Sequence, residues 1–268
     1  MKLKSPHLIK PGTQVRLSRI ATSSTGAFQS PEAAAPVLDS HRKQLADLQE
    51  VLYAGQRKAI LIVLQGMDTA GKDGTISHIF SGVNPQGCDV SAFKAPTPIE
   101  SRHDFLWRVH SQLPPRGMIQ IFNRSHYEDV LVSRVHKLLP QKTIDKRLDD
   151  INRFEQALYD NDIVILKFFL HISRAEQTAR LKSRIADSDK HWKLSESDFI
   201  ERRFWPRYEQ AYNDAIAATS KKHAPWFVIP SDHKWYRNIA VSQIIVDAMK
   251  SLKLTYPKPS MDPTKVHL

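Results

Sequence analysis

Gly66, Gly71 and Lys72 stand at the spacing of a G-x-x-x-x-G-K phosphate loop, within the run Gln65–Thr75 (QGMDTAGKDGT). Backbone N–H groups of such a loop converge on phosphate oxygens, the helix that follows adds its positive N-terminal end, and the lysine supplies a mobile charge. Glycine is needed where a Cβ would block that approach. Lys72 is followed by Asp73, Gly74 and Thr75 rather than directly by a serine or threonine. A hydroxyl at the first of these positions ordinarily ligates Mg²⁺, so the metal falls to another hard oxygen donor, and Asp68 inside the loop is the candidate. The expected phosphate-contacting set in the loop is Gly66, Ala70, Gly71, Asp73, Gly74 and Thr75, with Asp68 and Lys72 as the groups that act on the reaction.

A second group of chemically capable residues is Asn123–Asp129 (NRSHYED). Ser125 as a helix cap with Glu128 three residues on would make a capping box, which accounts for those two residues and not for Asn123, Arg124 or Tyr127. Arg124 is a candidate for charge on a transferring group; Asn123, Tyr127 and Asp129 are candidate contacts to phosphate or nucleotide. A third group is Arg180 and Arg184, four residues apart and so on one face of a helix. A solvated basic helix has the same pattern, but next to two phosphate-edge motifs these arginines read as those of a lid that closes over phosphates. Lys94 and the stretch Arg102–Arg108 follow a strand candidate and are weaker contacts to the acceptor or to a phosphate chain. The twelve histidines show no metal-ligand spacing.

These residues need a scaffold that brings them to one edge. Lys58–Gln65 (KAILIVLQ) is a near-continuous apolar run, as a parallel strand buried on both faces requires. Strands are expected at 89–94, 117–123, 162–172 and 225–230, and helices at 39–53, 99–112, 126–139, 143–159, 174–187, 195–219 and 235–252. The loop between the first strand and a helix ending at Phe80 joins the same alternation. Strands alternating with helices give an α/β fold with a parallel, five-stranded sheet covered by helices. In such sheets ligands bind beyond the carboxyl ends of the strands, where both the loop and Asn123–Asp129 fall.

Composition limits the alternatives. A chain of 268 residues suits one α/β domain with embellishments. The longest apolar run, Ile163–Ile172, is interrupted by Lys167 and falls short of the roughly 18 residues a membrane span needs. The start, Met1 to Pro6 (MKLKSP), lacks the apolar core of a signal peptide. A single cysteine, Cys88, excludes an internal disulfide and a cysteine-based zinc cage, so a reducing cytoplasm is expected. Lys and Arg number 39 against 28 Asp and Glu, a formal charge of +11 that calls for a polyanionic partner: nucleic acid, an acidic membrane surface or a string of phosphates.

Taken together, the motifs at 65–75, 122–132 (FNRSHYEDVLV), 168–173 (FFLHIS), Trp192-Lys193 and 222–230 (KHAPWFVIP) resemble the polyphosphate kinase 2 family from about Leu45 to Tyr256. The resemblance implies a thymidylate-kinase-like P-loop kinase core over residues 38–256 with a helical lid at about 174–207, after an irregular arm (1–37) and before a tail (257–268). It implies reversible phosphoryl transfer between inorganic polyphosphate and AMP, ADP or ATP, dependent on Mg²⁺ with Mn²⁺ as a substitute, in a cytoplasmic dimer or tetramer without membrane or nucleic-acid partners. By match to the motifs, Asp68 and Lys72 belong to the Walker A site, Asn123, Arg124, Glu128 and Asp129 to the Walker B site, and Arg180 and Arg184 to the lid. Many members carry aspartate where this chain has Asn123; the asparagine form with His-Tyr-Glu-Asp is similar to the subgroup that phosphorylates AMP as well as ADP. Asn123 cannot be an anionic ligand, so the metal is assigned to Asp68 with Glu128 or Asp129, Glu128 being the first candidate of the two. The rival readings are an ATP-dependent nucleotide kinase and a basic nucleic-acid-binding module.

Overall fold

The computed structural model describes residues 3–261 and 264. In chain order its elements are β1 (Leu8–Ile9), α1 (Pro31–Gly55), β2 (Ala59–Gln65), α2 (Lys72–Ile79), β3 (Cys88–Ala92), α3 (Trp107–His110), β4 (Ile119–Asn123), α4 (Glu128–Val135), α5 (Gln141–Asp160), β5 (Ile163–His171), α6 (Arg174–Ile185), α7 (Glu196–Glu201), α8 (Trp205–Thr219), β6 (Trp226–Pro230) and α9 (Lys234–Ser251). The sheet order is β1-β6-β5-β2-β4-β3, and every pairing except β1 with β6 is parallel. All residues of β2 and β5 are buried, which is why both read as unbroken apolar runs. From β2 the chain crosses to β3 on one side and from β4 to β5 on the other, so the carboxyl end of β2 is the point where the strand order reverses. Register is level there: Leu64 lies opposite Asn123, and Gln65 opposite Phe169. Helices α1, α2 and α9 pack on one another, as do α4, α5 and α8. No helix among the described residues is long and apolar enough to cross a membrane.

The five expected parallel strands are all present, and a sixth, β1, joins antiparallel at the β6 edge through Leu8 opposite Phe227. The N-terminal arm is therefore more ordered than its composition suggests. Helix α1 starts at Pro31 rather than Asp39, because Ser30 accepts the Ala33 N–H and Pro31 takes the first helical position, where its missing donor costs nothing. The helix expected over 99–112 is reduced to two short turns. Thr97 and Glu100 cap each other reciprocally (2.6 and 3.2 Å), and Asp104 accepts the Leu106 N–H (3.0 Å), which restarts the chain before α3. The helix expected over 195–219 is broken at Arg202–Phe204, with Pro206 inside the first turn of α8.

Candidate active site

The phosphate loop is shaped by what stands behind it. Gly66 lies so close to β5 that an added Cβ would meet the Leu170 carbonyl at 2.8 Å. Gly71 has φ +101°, and its Cβ would meet Arg237 Nη1 at 2.0 Å, so at both positions only glycine fits without displacement. Two buried arginines brace the loop from this side. Arg180 donates to the carbonyls of Thr69 (2.9 Å) and Ala70 (3.0 Å), to those of Ser231 (2.5 Å) and Asp232 (3.1 Å), and to Glu176 (2.7 Å). Arg237 donates to Ala70 O (3.1 Å) and to Asn238 Oδ1. Burial, with Arg180 adding to it, pushes the Arg237 guanidinium down to about 9. Binding the carbonyls from behind fixes the peptide planes of the loop, whose N–H groups then face away from the braces.

Lys72 opens α2 and its ammonium donates to the Gly66 carbonyl (3.0 Å). Burial and then the Arg124 charge lower its pKa, with Asp68, Glu128 and Asp73 opposing. Arg124, at the end of β4, holds a left-handed conformation (φ +64°) and reaches Asp68 Oδ1 at 3.2 Å. Burial works against its charge, but Glu128 and Asp68 more than offset it. Burial raises the Glu128 carboxyl above the ordinary range, with Arg124 and Lys72 pulling it back. Asp68, Lys72, Arg124 and Glu128 thus form one mutually interacting group at the ends of β2 and β4.

Other expected site residues are placed differently. Asp73 accepts from Asn123 Nδ2 (2.6 Å), joining the loop to the end of β4. Asp129 is tied to Arg108 (3.0 Å), and the Arg147 guanidinium takes its carbonyl, so Glu128 is the carboxylate left facing Lys72 and Arg124. Thr75 is buried and bonds back to Gly71 O (3.0 Å) within its own helix. Tyr127, expected at the ligand, points into the core, where its hydroxyl meets Glu155 and Lys167. Arg180 has all five guanidinium donors on protein acceptors, whereas Arg184 has a quarter of its side chain exposed and faces Asp198 at 3.9 Å.

A cavity of about 650 Å³ opens beside this group and collects Gly66, Asp68, Lys94, Arg124, Glu128 and Asp129 at its walls. Phe105, Val132, Leu138, Leu139 and Trp205 give its lining an apolar part, and the Arg147 guanidinium lies 4.8 Å from the centre of the Phe105 ring. Several lining residues carry no motif and were not foreseen. Gln177 donates to Asp68 O (3.0 Å) and accepts from Arg202 (2.5 Å), which ties α6 and the turn after α7 to the loop. Asp198, on α7, has its carboxyl pushed up by burial and by the Asp68 charge. For Gln177 the helical spacing to Arg180 was the one available signal, and Arg237 and Asp198 carried none beyond being charged; Arg108, at the end of the Arg102–Arg108 stretch, does line the cavity, where it holds Asp129.

The family model for polyphosphate kinase 2 matches residues 30–257. The chain belongs to the polyphosphate kinase 2 family. An AMP/ADP-polyphosphate phosphotransferase of Meiothermus ruber is 46% identical over 259 residues, covering 96% of this chain and 97% of the relative. An ADP-polyphosphate phosphotransferase of Rhodopseudomonas palustris is 41% identical over 271 residues, covering 96% and 94%. The crystal structure of polyphosphate kinase 2 from Arthrobacter aurescens TC1 superposes with a TM-score of 0.91 at 39% identity, covering 98% of this chain and 97% of that one. The fold is that of a P-loop kinase, and the polyphosphate kinase 2 motifs at 65–75 and 122–132 are the segments that meet at the reversal of strand order.

Proposed function

We propose that this polyphosphate kinase 2 transfers phosphoryl groups reversibly between inorganic polyphosphate and nucleotides, converting AMP to ADP and ADP to ATP. The observation that carries the reading is the meeting of Asp68, Lys72, Arg124 and Glu128 beside a nucleotide-sized cavity at the carboxyl ends of β2 and β4. The two relatives named for AMP/ADP and ADP transfer support the substrate pair, and the charge of +11 suits a polyanionic donor.

Among the described residues no group of three or more His, Cys, Asp or Glu could enclose a metal. Two carboxylates sharing a cavity with bound phosphates fit Mg²⁺, which takes one or two protein carboxylates and completes its shell with phosphate and water oxygens. Asp68 and Glu128 would hold it, Mn²⁺ being a substitute, and when bound it would neutralise charge on the phosphate oxygens. The chain's own residues do the rest. The loop N–H groups and Lys72 orient the phosphoryl that is transferred, Arg124 and Arg184 balance its charge, and the apolar side chains of the cavity, Phe105 among them, receive the acceptor's base. The acceptor is a nucleotide phosphate, already ionised, so no general base is needed, and positioning with charge balance supplies the catalysis. Residues 174–207 act as a helical lid that brings Arg184 to the site and excludes water. The setting is a cytoplasmic homo-oligomer, a dimer or tetramer, without nucleic-acid partners.

A comparison of donors tests the reading. With AMP and Mg²⁺ present, polyphosphate supports ADP formation at least as well as ATP does. Transfer from ATP with none from polyphosphate would make the chain an ordinary nucleotide kinase.

A further inference from the structure

Beneath the Arg124–Asp129 segment lies a set of buried polar groups that takes no part in the transfer described above. Lys167, in the middle of β5, is fully buried, and its ammonium donates to Glu155 Oε2 (2.5 Å), the Tyr127 hydroxyl (2.9 Å) and the Thr219 carbonyl (2.8 Å). Glu155, from α5, is also fully buried. Its other oxygen accepts the Tyr127 hydroxyl (2.9 Å) and faces His126 Nε2 at 3.3 Å. The Tyr127 ring stands edge-on to Trp226 with centroids 4.9 Å apart.

A buried ion pair is weak evidence for stability, since desolvation of both charges offsets their attraction and an apolar pair of similar volume holds a core as well. An apolar pair could not, however, grip the Tyr127 hydroxyl and the His126 ring. Those two residues lie between Arg124 and Glu128, both in the reacting group. Arg124 is a non-glycine residue in the left-handed region, a conformation that persists only when its surroundings over-determine it. The segment is anchored from the other direction as well: Ser125 Oγ accepts from Gln65 Nε2 (3.2 Å) and from the Tyr127 N–H (3.2 Å).

We infer that the Glu155–Lys167 pair is a positioning device for the reaction, holding the Arg124–Glu128 turn through Tyr127 and His126 so that the Glu128 carboxylate and the Arg124 guanidinium meet Asp68 and Lys72 in one geometry. Glu155 and Lys167 touch no substrate; they act through the two residues they bind. The inference rests on the reading of Glu128 as a metal carboxylate.

The test is the double variant Glu155→Leu/Lys167→Met, which removes both charges and keeps the volume. It still unfolds cooperatively but at a lower temperature than the wild type, because the Tyr127 hydroxyl, His126 Nε2 and the Thr219 carbonyl lose buried partners, a loss offset in part by the desolvation cost of the two charges that are removed. Calorimetric titration with ADP, with and without Mg²⁺, then separates packing from positioning. The affinity for Mg²⁺-ADP falls about tenfold and kcat falls roughly 10–100-fold, the range seen when the support of a ligating group is lost. The affinity for metal-free ADP and the KM for polyphosphate stay within about threefold, because the loop itself is unaltered. A folded double variant that binds Mg²⁺-ADP and turns over like the wild type would overturn the inference. Should the double variant fail to fold, Tyr127→Phe keeps the ring and the ion pair and removes only the hydroxyl link. The same split in smaller measure supports positioning, and wild-type values in both assays overturn it. Failure of the functional reading itself is distinguishable, since it shows as absence of transfer from polyphosphate by the wild type.

Discussion

Arg180 and Arg184 look alike in the sequence but sit in different surroundings, and one pair of substitutions separates what each does. Arg180→Met keeps much of the stem's packing and removes the guanidinium, whose side chain is 8% exposed. The carbonyls of Thr69, Ser231 and Asp232 lose that donor, while Ala70 O keeps Arg237. A buried group left unsatisfied costs about 1–3 kcal/mol, and relief of the repulsion between Arg180 and Arg237 offsets part of the sum, so the expected loss of stability is about 2–4 kcal/mol. Arg184→Met breaks a single 3.9 Å contact to Asp198 on a partly exposed side chain, worth within about 0.5 kcal/mol. Urea unfolding followed by tryptophan fluorescence gives both values by linear extrapolation. Initial rates of ADP formation complete the comparison: Arg184→Met loses kcat at unchanged stability, and Arg180→Met loses stability together with activity. If Arg180→Met were as stable as the wild type and inactive, Arg180 would be a contact to the reacting phosphates and the brace described here would be wrong.

Other substitutions probe the rest of the site. Lys72→Ala lowers transfer from polyphosphate by roughly 10²–10³-fold or more, the scale for removing one donor to developing charge, and full activity would displace Lys72 from the site. Burial raises the Glu128 carboxyl, so the ionised form is lost, and transfer with it, as pH falls through a value above that of an ordinary carboxylate. A pH profile of kcat/KM, which reports groups of the free enzyme, shows this acid limb in the wild type; its absence would sever Glu128 from the reaction. Gly71→Ala must hold φ near +101° and push the Arg237 guanidinium from a contact of 2.0 Å, costing about 1–3 kcal/mol by the same unfolding assay. Wild-type stability there would show that the loop is not packed against Arg237 as described.

What could be read from the chain itself was whatever depends on neighbours in sequence. The run Lys58–Gln65 announced β2 because burial on both faces leaves no polar position, and the glycines of the loop announced a close approach of backbone. Asn123–Asp129 was visible as a charged cluster at a strand end. Its internal arrangement was not, because nothing local shows that Glu128 faces Lys72 and that Asp129 is tied to an arginine 21 residues earlier. Tyr127 read as a ligand contact by proximity, yet its partners Glu155 and Lys167 lie 28 and 40 residues away on other elements. The lysine that interrupts the apolar run Ile163–Ile172 was the only trace of that network. Arg180 was correctly placed on a helix, but which face of that helix is buried depends on α9 and the loop, and the sequence pattern of basic residues is the same for a brace and for a lid. The helix expected over 99–112 failed because Thr97, Glu100 and Asp104 offer the backbone local hydrogen bonds that compete with helix continuation.

The group formed by Asp68, Lys72, Arg124 and Glu128 is proposed to move phosphoryl groups from polyphosphate to a nucleotide. The most direct test of that role is a time course of adenine nucleotides after mixing the protein with AMP, Mg²⁺ and polyphosphate. ADP forms first and ATP after it, and chelating the metal abolishes both. Formation of neither nucleotide by folded protein would contradict that role.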